Sequence, residues 1–168
     1  KLMQKLHQMY SGTVKFESGN AKVLDYSKAN FIRERFKGSK IAIFYKFKAE
    51  LRALQDTFGT SLCEDLETFN TSYKNFAGQF ISAREGISLK EADYLVFYNI
   101  DFSAVSYFQA IDRLTTMERL TNDVFWIFSN GGIEDKIYKS VKAKKDYTLA
   151  YFKKDYGVKI QTENYSRI

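Results

Sequence analysis

The sequence predicts an open α/β domain with a mainly parallel sheet covered by helices on both faces, preceded by a helix and hairpin and closed by a long helix. Three observations carry this. Four apolar runs, Ile41 to Tyr45, Gln79 to Ile81, Tyr94 to Tyr98 and Val124 to Phe128, are continuous rather than alternating. A strand buried on both faces has that pattern. Between the runs apolar residues recur at helical spacing: Ala29, Ile32 and Phe36, then Leu51, Leu54 and Phe58, then Val105, Phe108 and Ile111. Strand and helix therefore alternate, which suits parallel strands joined by right-handed crossovers.

In chain order, Leu2, Leu6 and Met9 predict an opening helix, and Thr13 to Leu24, interrupted by Ser18, Gly19 and Asn20, a small hairpin. After the alternating core, Ile137, Val141, Leu149, Phe152 and Tyr156 line one side of a helix that starts near Ile133 and stops at Gly157. The chain has no proline and no internal repeat, so one domain is expected. Its 45% apolar and 17% aromatic content is enough for a filled core.

Composition also narrows the function. Cys63 is the only cysteine and His7 the only histidine, which excludes an internal disulfide and leaves a Cys- or His-based zinc site without its ligands. Cys63 reads as a small buried hydrophobe, His7 as a structural residue. A reducing, cytoplasmic setting is expected, with no membrane association, because no apolar run approaches the roughly 18 residues of a spanning helix. The net charge of +6 suits a polyanionic partner. No G-x-x-x-x-G-K-[ST] phosphate loop is present, and neither is an HExxH or G-x-S-x-G motif.

The informative segment runs from Gly78 to Arg119. Ser82 and Arg84 follow an apolar strand, so they belong at the carboxyl edge of the sheet, where open α/β folds bind ligands. A hydroxyl, a guanidinium and backbone amides there can hold a sugar-phosphate backbone without reading bases; an ordinary strand-to-helix turn would also accommodate them. Gly86 permits close backbone approach. Gln109 and Arg113 lie four residues apart and share a helix face. Lys46, Phe47 and Lys48 follow the first core strand, where the lysines contact phosphate or simply solvate a loop. Eight lysines between Lys136 and Lys159 face only Asp146 and Asp155, as a duplex-contacting strip or the solvated side of a helix.

These motifs resemble those of superfamily 2 helicases. KIAIFYKFKAEL is similar to motif IV, REGISLKEA to motif V of excision-repair helicases, and QAIDR to motif VI. The strand ending in Asp101, the VFWIF strand and GGIEDKI follow the layout of chromatin-remodeller motors. The resemblance implies the second, RecA-like lobe of an ATP-dependent DNA helicase or translocase. It divides the chain into an N-terminal extension (1–26), the lobe (27–157) and a tail (158–168). It assigns Lys46, Phe47, Ser82 and Arg84 to nucleic acid, and Gly86, Gln109 and Arg113 to ATP. On this resemblance Arg113 would act as the charge-stabilising finger. The family's second motif VI arginine falls on Thr116, which leaves Arg119 as its substitute. ATP and Mg²⁺ would be held mainly by an N-terminal RecA-like lobe, without which the chain is expected to be inactive. DNA is the expected polymer ahead of RNA. A non-catalytic nucleic-acid-binding or interaction module, or the motor of a restriction system, is the alternative.

Overall fold

The computed structural model describes residues 2–81, 89–100, 122–129, 133–134, 137–139 and 158–165. Helix α1 (Leu2–Tyr10) leads into a hairpin of β1 (Thr13–Lys15) and β2 (Ala21–Val23), paired antiparallel. Helix α2 (Ser27–Arg35), β3 (Ile41–Tyr45) and α3 (Lys48–Phe58) follow. Next come β4 (Leu62–Cys63), α4 (Leu66–Thr71), β5 (Asn75–Gln79), β6 (Tyr94–Phe97), β7 (Asn122–Ser129) and β8 (Val158–Tyr165). Strands β4 to β8 and β3 form one sheet in the order β4-β5-β3-β6-β7-β8, and every neighbouring pair is parallel.

The period-2 geometry of a strand converts the continuous apolar runs into two cores. Ala42, Phe44, Leu95, Phe97, Val124, Trp126 and Phe128 face one side, where Phe69 of α4, Phe80 and Leu89 join them. Ile41, Ile43, Val96, Tyr98, Phe125 and Ile127 face the other, against Ala29, Ile32, Phe36, Ala53, Leu54 and Phe58 of the α2 and α3 region. On the first face, register places Phe44 beside Phe97 and Phe97 beside Trp126. Their rings stack across the strands at 5.3 and 4.1 Å between centroids. Such pairs add about 0.5–1.5 kcal/mol each beyond area burial.

Two sequence expectations need correction, the bounds of the second core strand and the C-terminal tail, and two features were not anticipated, the buried face of α1 and the strand β4. The second core strand is Asn75–Gln79, and Phe80 and Ile81 belong to the turn that follows it. Gly78 hid this strand, because glycine weakens a strand pattern. A Cβ on Gly78 would approach Phe76 Cε1 to 2.6 Å, so the missing side chain makes room for a core ring. In α1, Leu6 and Met9 are exposed while His7 and Gln8 are buried, so the helix presents a polar pair to the domain. The short strand β4 lacks any run of its own. Residues Val158–Tyr165, expected as a tail, form a sheet strand in register with all of β7. Its sequence, VKIQTENY, carries Lys159 and Glu163 among several polar residues, which suits an edge position. Ile133, Glu134 and residues 137–139 are helical, whereas the rest of the expected C-terminal helix and most of its lysine strip lie outside the described residues. Among the described residues no helix is long and apolar enough to cross a membrane.

Ending the chain at Gly157 would remove β8 and leave the eight residues of β7 as an unpaired edge. Long apolar edges template association. The truncated protein is expected to show a lower urea midpoint and concentration-dependent oligomers on size exclusion. Unchanged behaviour in both would mean that β8 adds nothing to the sheet.

Candidate functional site

Because the sheet is parallel, β3, β5, β6 and β7 all finish at one edge, and their ends leave backbone groups that need partners. Glu50 supplies several. It occupies the third position of α3, where an acidic group suits the positive end of the helix. Its Oε2 accepts the backbone N–H groups of Lys46 (2.8 Å) and Phe47 (3.0 Å), which fixes the loop leaving β3. Its Oε1 accepts Asn99 Nδ2 at 2.5 Å, which ties that loop to the chain leaving β6.

Asn99 extends the connection. Its Oδ1 accepts the N–H of Ile100 at 2.8 Å and pairs with His7 Nε2. Flipping the amide would turn its NH₂ towards the Ile100 donor and its oxygen towards the Glu50 carboxylate. The orientation is therefore settled, and His7 carries its hydrogen on Nε2. The imidazole also meets the Phe47 ring edge-on, 5.4 Å between centroids. His7, Glu50 and Asn99 are all buried.

A second buried group braces the same edge. Lys28 of α2 donates to Glu134 Oε1 at 2.7 Å and to the Tyr98 carbonyl at 2.5 Å, with its ammonium 4.9 Å from the Tyr98 ring centroid. Glu134 Oε2 accepts the N–H of Ser129, the last residue of β7. Both side chains are at most 1% exposed. Burial pushes the Glu134 carboxyl above its ordinary pKa, and the adjacent Lys28 ammonium opposes that rise.

Of the residues expected at the site, Lys46 and Phe47 stand at this edge, half-buried, with Lys46 Nζ 5.8 Å from the Phe47 ring centroid. Ser82, Arg84, Gly86, Gln109, Arg113 and Arg119 lie outside the described residues. The chain runs towards the first three from the end of β5, which is paired with β3 through Tyr45 and Gln79. It runs towards the last three from β6, on the other side of β3. Sequence reasoning missed Lys28, Glu50, Asn99 and Glu134. Only Glu50 and Glu134 carried a local signal, one as an acid in the first turn of a helix and the other inside GGIEDKI. Among the described residues no group of three or more metal-ligating side chains occurs.

The C-terminal part of the Fun30 ATPase domain is structurally similar, with a TM-score of 0.50 and 19% identity over 67% of this chain. The match spans 41% of the Fun30 chain. A protein described as MT0777 matches at a TM-score of 0.40 and 12% identity, covering 83% of this chain and 74% of that one. No protein-family model and no curated protein matches the sequence. The all-parallel sheet with helices on both faces and this structural likeness define a RecA-like fold.

Replacing Lys28 with Met would leave Glu134 buried opposite an apolar group, a change expected to cost about 3–5 kcal/mol. Without the ammonium, Glu134 holds its proton still more tightly when folded. Its contribution to stability is then full below the ordinary glutamate range and is lost as pH rises through the folded value. Urea unfolding should show a smaller deficit at roughly pH 5 than at roughly pH 8. A pH-independent deficit would contradict a charged role for the pair.

Proposed function

We propose that the chain is the second motor lobe of an ATP-dependent DNA helicase or translocase. The observation that carries the reading is the parallel register of β5, β3 and β6, which ends three strands side by side at one edge. Each of these strands is followed in sequence by a segment resembling motif V, IV or VI respectively. The RecA-like fold supports it. Lys46, Ser82 and Arg84 bind the sugar-phosphate backbone, and the Phe47 ring packs the loop that presents Lys46. Contacts of this kind hold a strand without reading sequence, as a translocating protein requires.

Gly86, Gln109 and Arg113 face the nucleotide, which a first RecA-like lobe holds with Mg²⁺. ATP supplies the phosphoryl group whose transfer drives opening and closing of the two lobes. Arg113 presents positive charge where the γ-phosphoryl oxygens gain negative charge, an effect worth about 10³ to 10⁵ in rate. Arg119 adds a second positive charge in place of the arginine replaced by Thr116. Glu50 joins the two functions physically, since one carboxylate holds the Lys46 loop and the residue two positions before Asp101.

In a protein containing both lobes, Arg113→Ala is expected to lower ATP turnover by about 10³ or more while DNA affinity stays within about threefold. Steady-state hydrolysis and fluorescence anisotropy of a labelled DNA measure the two. Parallel loss of both would contradict the assigned role. Absence of turnover in the unaltered two-lobed protein, even with saturating single- and double-stranded nucleic acid, would favour a non-catalytic binding module.

A further inference from the structure

The N-terminal helix and hairpin are outside the motor motifs, yet they form one wall of a groove that reaches Lys46. Three adjoining hollows make up this groove. A cavity of about 310 Å³ lies between the hairpin and the start of α3, with Lys15 on one side and Lys46 and Lys48 on the other. It shares Gln4, Gln8 and Lys15 with a second hollow of about 240 Å³ beside α1. At its other end it shares Gly19, Ala21, Lys48 and Ala49 with a third of about 470 Å³.

The lining is strongly one-sided in charge. Lys5, Lys15, Lys46, Lys48 and Arg52 are spread along it, and Glu17 is the single acid among its lining residues. Several of these cations are held in place by the fold. Lys5 Nζ donates to the Lys15 carbonyl at 3.2 Å, and Gln8 Oε1 accepts the Lys15 N–H at 3.2 Å, which fastens the hairpin strand to α1. Lys48 is the first residue of α3, and Lys46 sits on the loop that Glu50 secures. Phe16 is 49% exposed at one end, an apolar ring beside the line of cations.

The hairpin is anchored to the lobe through Val23 of β2, buried in the core shared with α2 and α3, and through His7 of α1, which pairs with Asn99, and its base is closed by Gly12. The carbonyl of Gly12 accepts the N–H groups of Leu24 (2.7 Å) and Asp25 (3.1 Å). A Cβ at position 12, where φ is +81°, would come within 2.5 Å of the Asp25 carbonyl oxygen. The wall therefore stands at a fixed position relative to α2 and α3.

We propose that this groove is a second nucleic-acid contact surface, in which the sugar-phosphate backbone of one strand continues from Lys46 along the hairpin, with Lys15 and Lys48 on opposite walls. A line of cations with an adjacent aromatic ring suits a polyanion whose charges repeat along its length, and a compact anion would use only part of it. The assignment rests on the motor-lobe reading for the direction of the strand. It extends the contact surface beyond the motor motifs, to residues 2–26.

The test compares the chain with its Lys15→Ala/Lys48→Ala double variant, and with Lys22→Ala, an exposed lysine of β2 that does not line the groove. Anisotropy of a fluorescein-labelled DNA of about 30 nucleotides, single-stranded and as a duplex, is followed across a salt series. The double variant is expected to bind roughly tenfold more weakly, with the slope of log affinity against log salt reduced by about 1.4 to 1.8, and Lys22→Ala to match the parent. In a two-lobed protein the double variant should need more DNA than the parent to reach half of its own maximal DNA-stimulated ATPase rate. Unchanged affinity and slope, or an equal loss in Lys22→Ala, would overturn the groove while leaving the motor reading standing. Loss of the maximal rate with DNA affinity intact would also overturn it. A two-lobed parent that binds DNA through the groove but hydrolyses no ATP would instead overturn the motor reading alone.

Discussion

Parallel strands bring every loop that follows them to one edge, and the cost of that arrangement is a cluster of buried polar groups that must be satisfied together. In this protein the Glu50 carboxylate meets part of that demand. It takes two backbone N–H groups after β3 and the Asn99 amide after β6. Through Asn99 the same network reaches His7 on α1, and the Lys28–Glu134 pair secures the end of β7. Removing one member would strand the others without water, so the edge behaves as a unit.

The two hydrophobic cores serve that edge. Alternation along β3, β6 and β7 divides their side chains between the faces, and the stacked Phe44, Phe97 and Trp126 rings hold the three strands in register. A one-residue slip would turn those rings to the opposite core. Register in turn places Lys46 level with the chain leaving β5 and with Asn99 leaving β6, so packing inside the sheet determines which loops can act on one ligand.

Much of this was legible in the sequence. The runs at Ile41, Tyr94 and Val124 marked the central strands because both faces are apolar, and Ser18 to Asn20 marked the hairpin turn. The second strand was shifted because Gly78 and Asn75 look like turn residues until the Phe76 ring is seen filling the space. The edge strand β8 was missed because its Lys and Glu suit an exposed tail equally well. For the candidate site, the position of Lys46 at the end of a core strand was readable from the apolar run that precedes it. The polar network was not, since His7, Glu50 and Asn99 are separated by 43 or more positions and only the fold brings them together.

In the function proposed above, DNA contacts and nucleotide contacts share one sheet edge of a lobe that is half of a machine. That proposal is tested most directly by steady-state ATP hydrolysis of a protein carrying both lobes, measured with and without DNA. Turnover that rises several-fold or more on adding DNA is the result the account predicts. Turnover indifferent to DNA, in a protein that nonetheless binds it, would contradict the coupling on which the assignment rests.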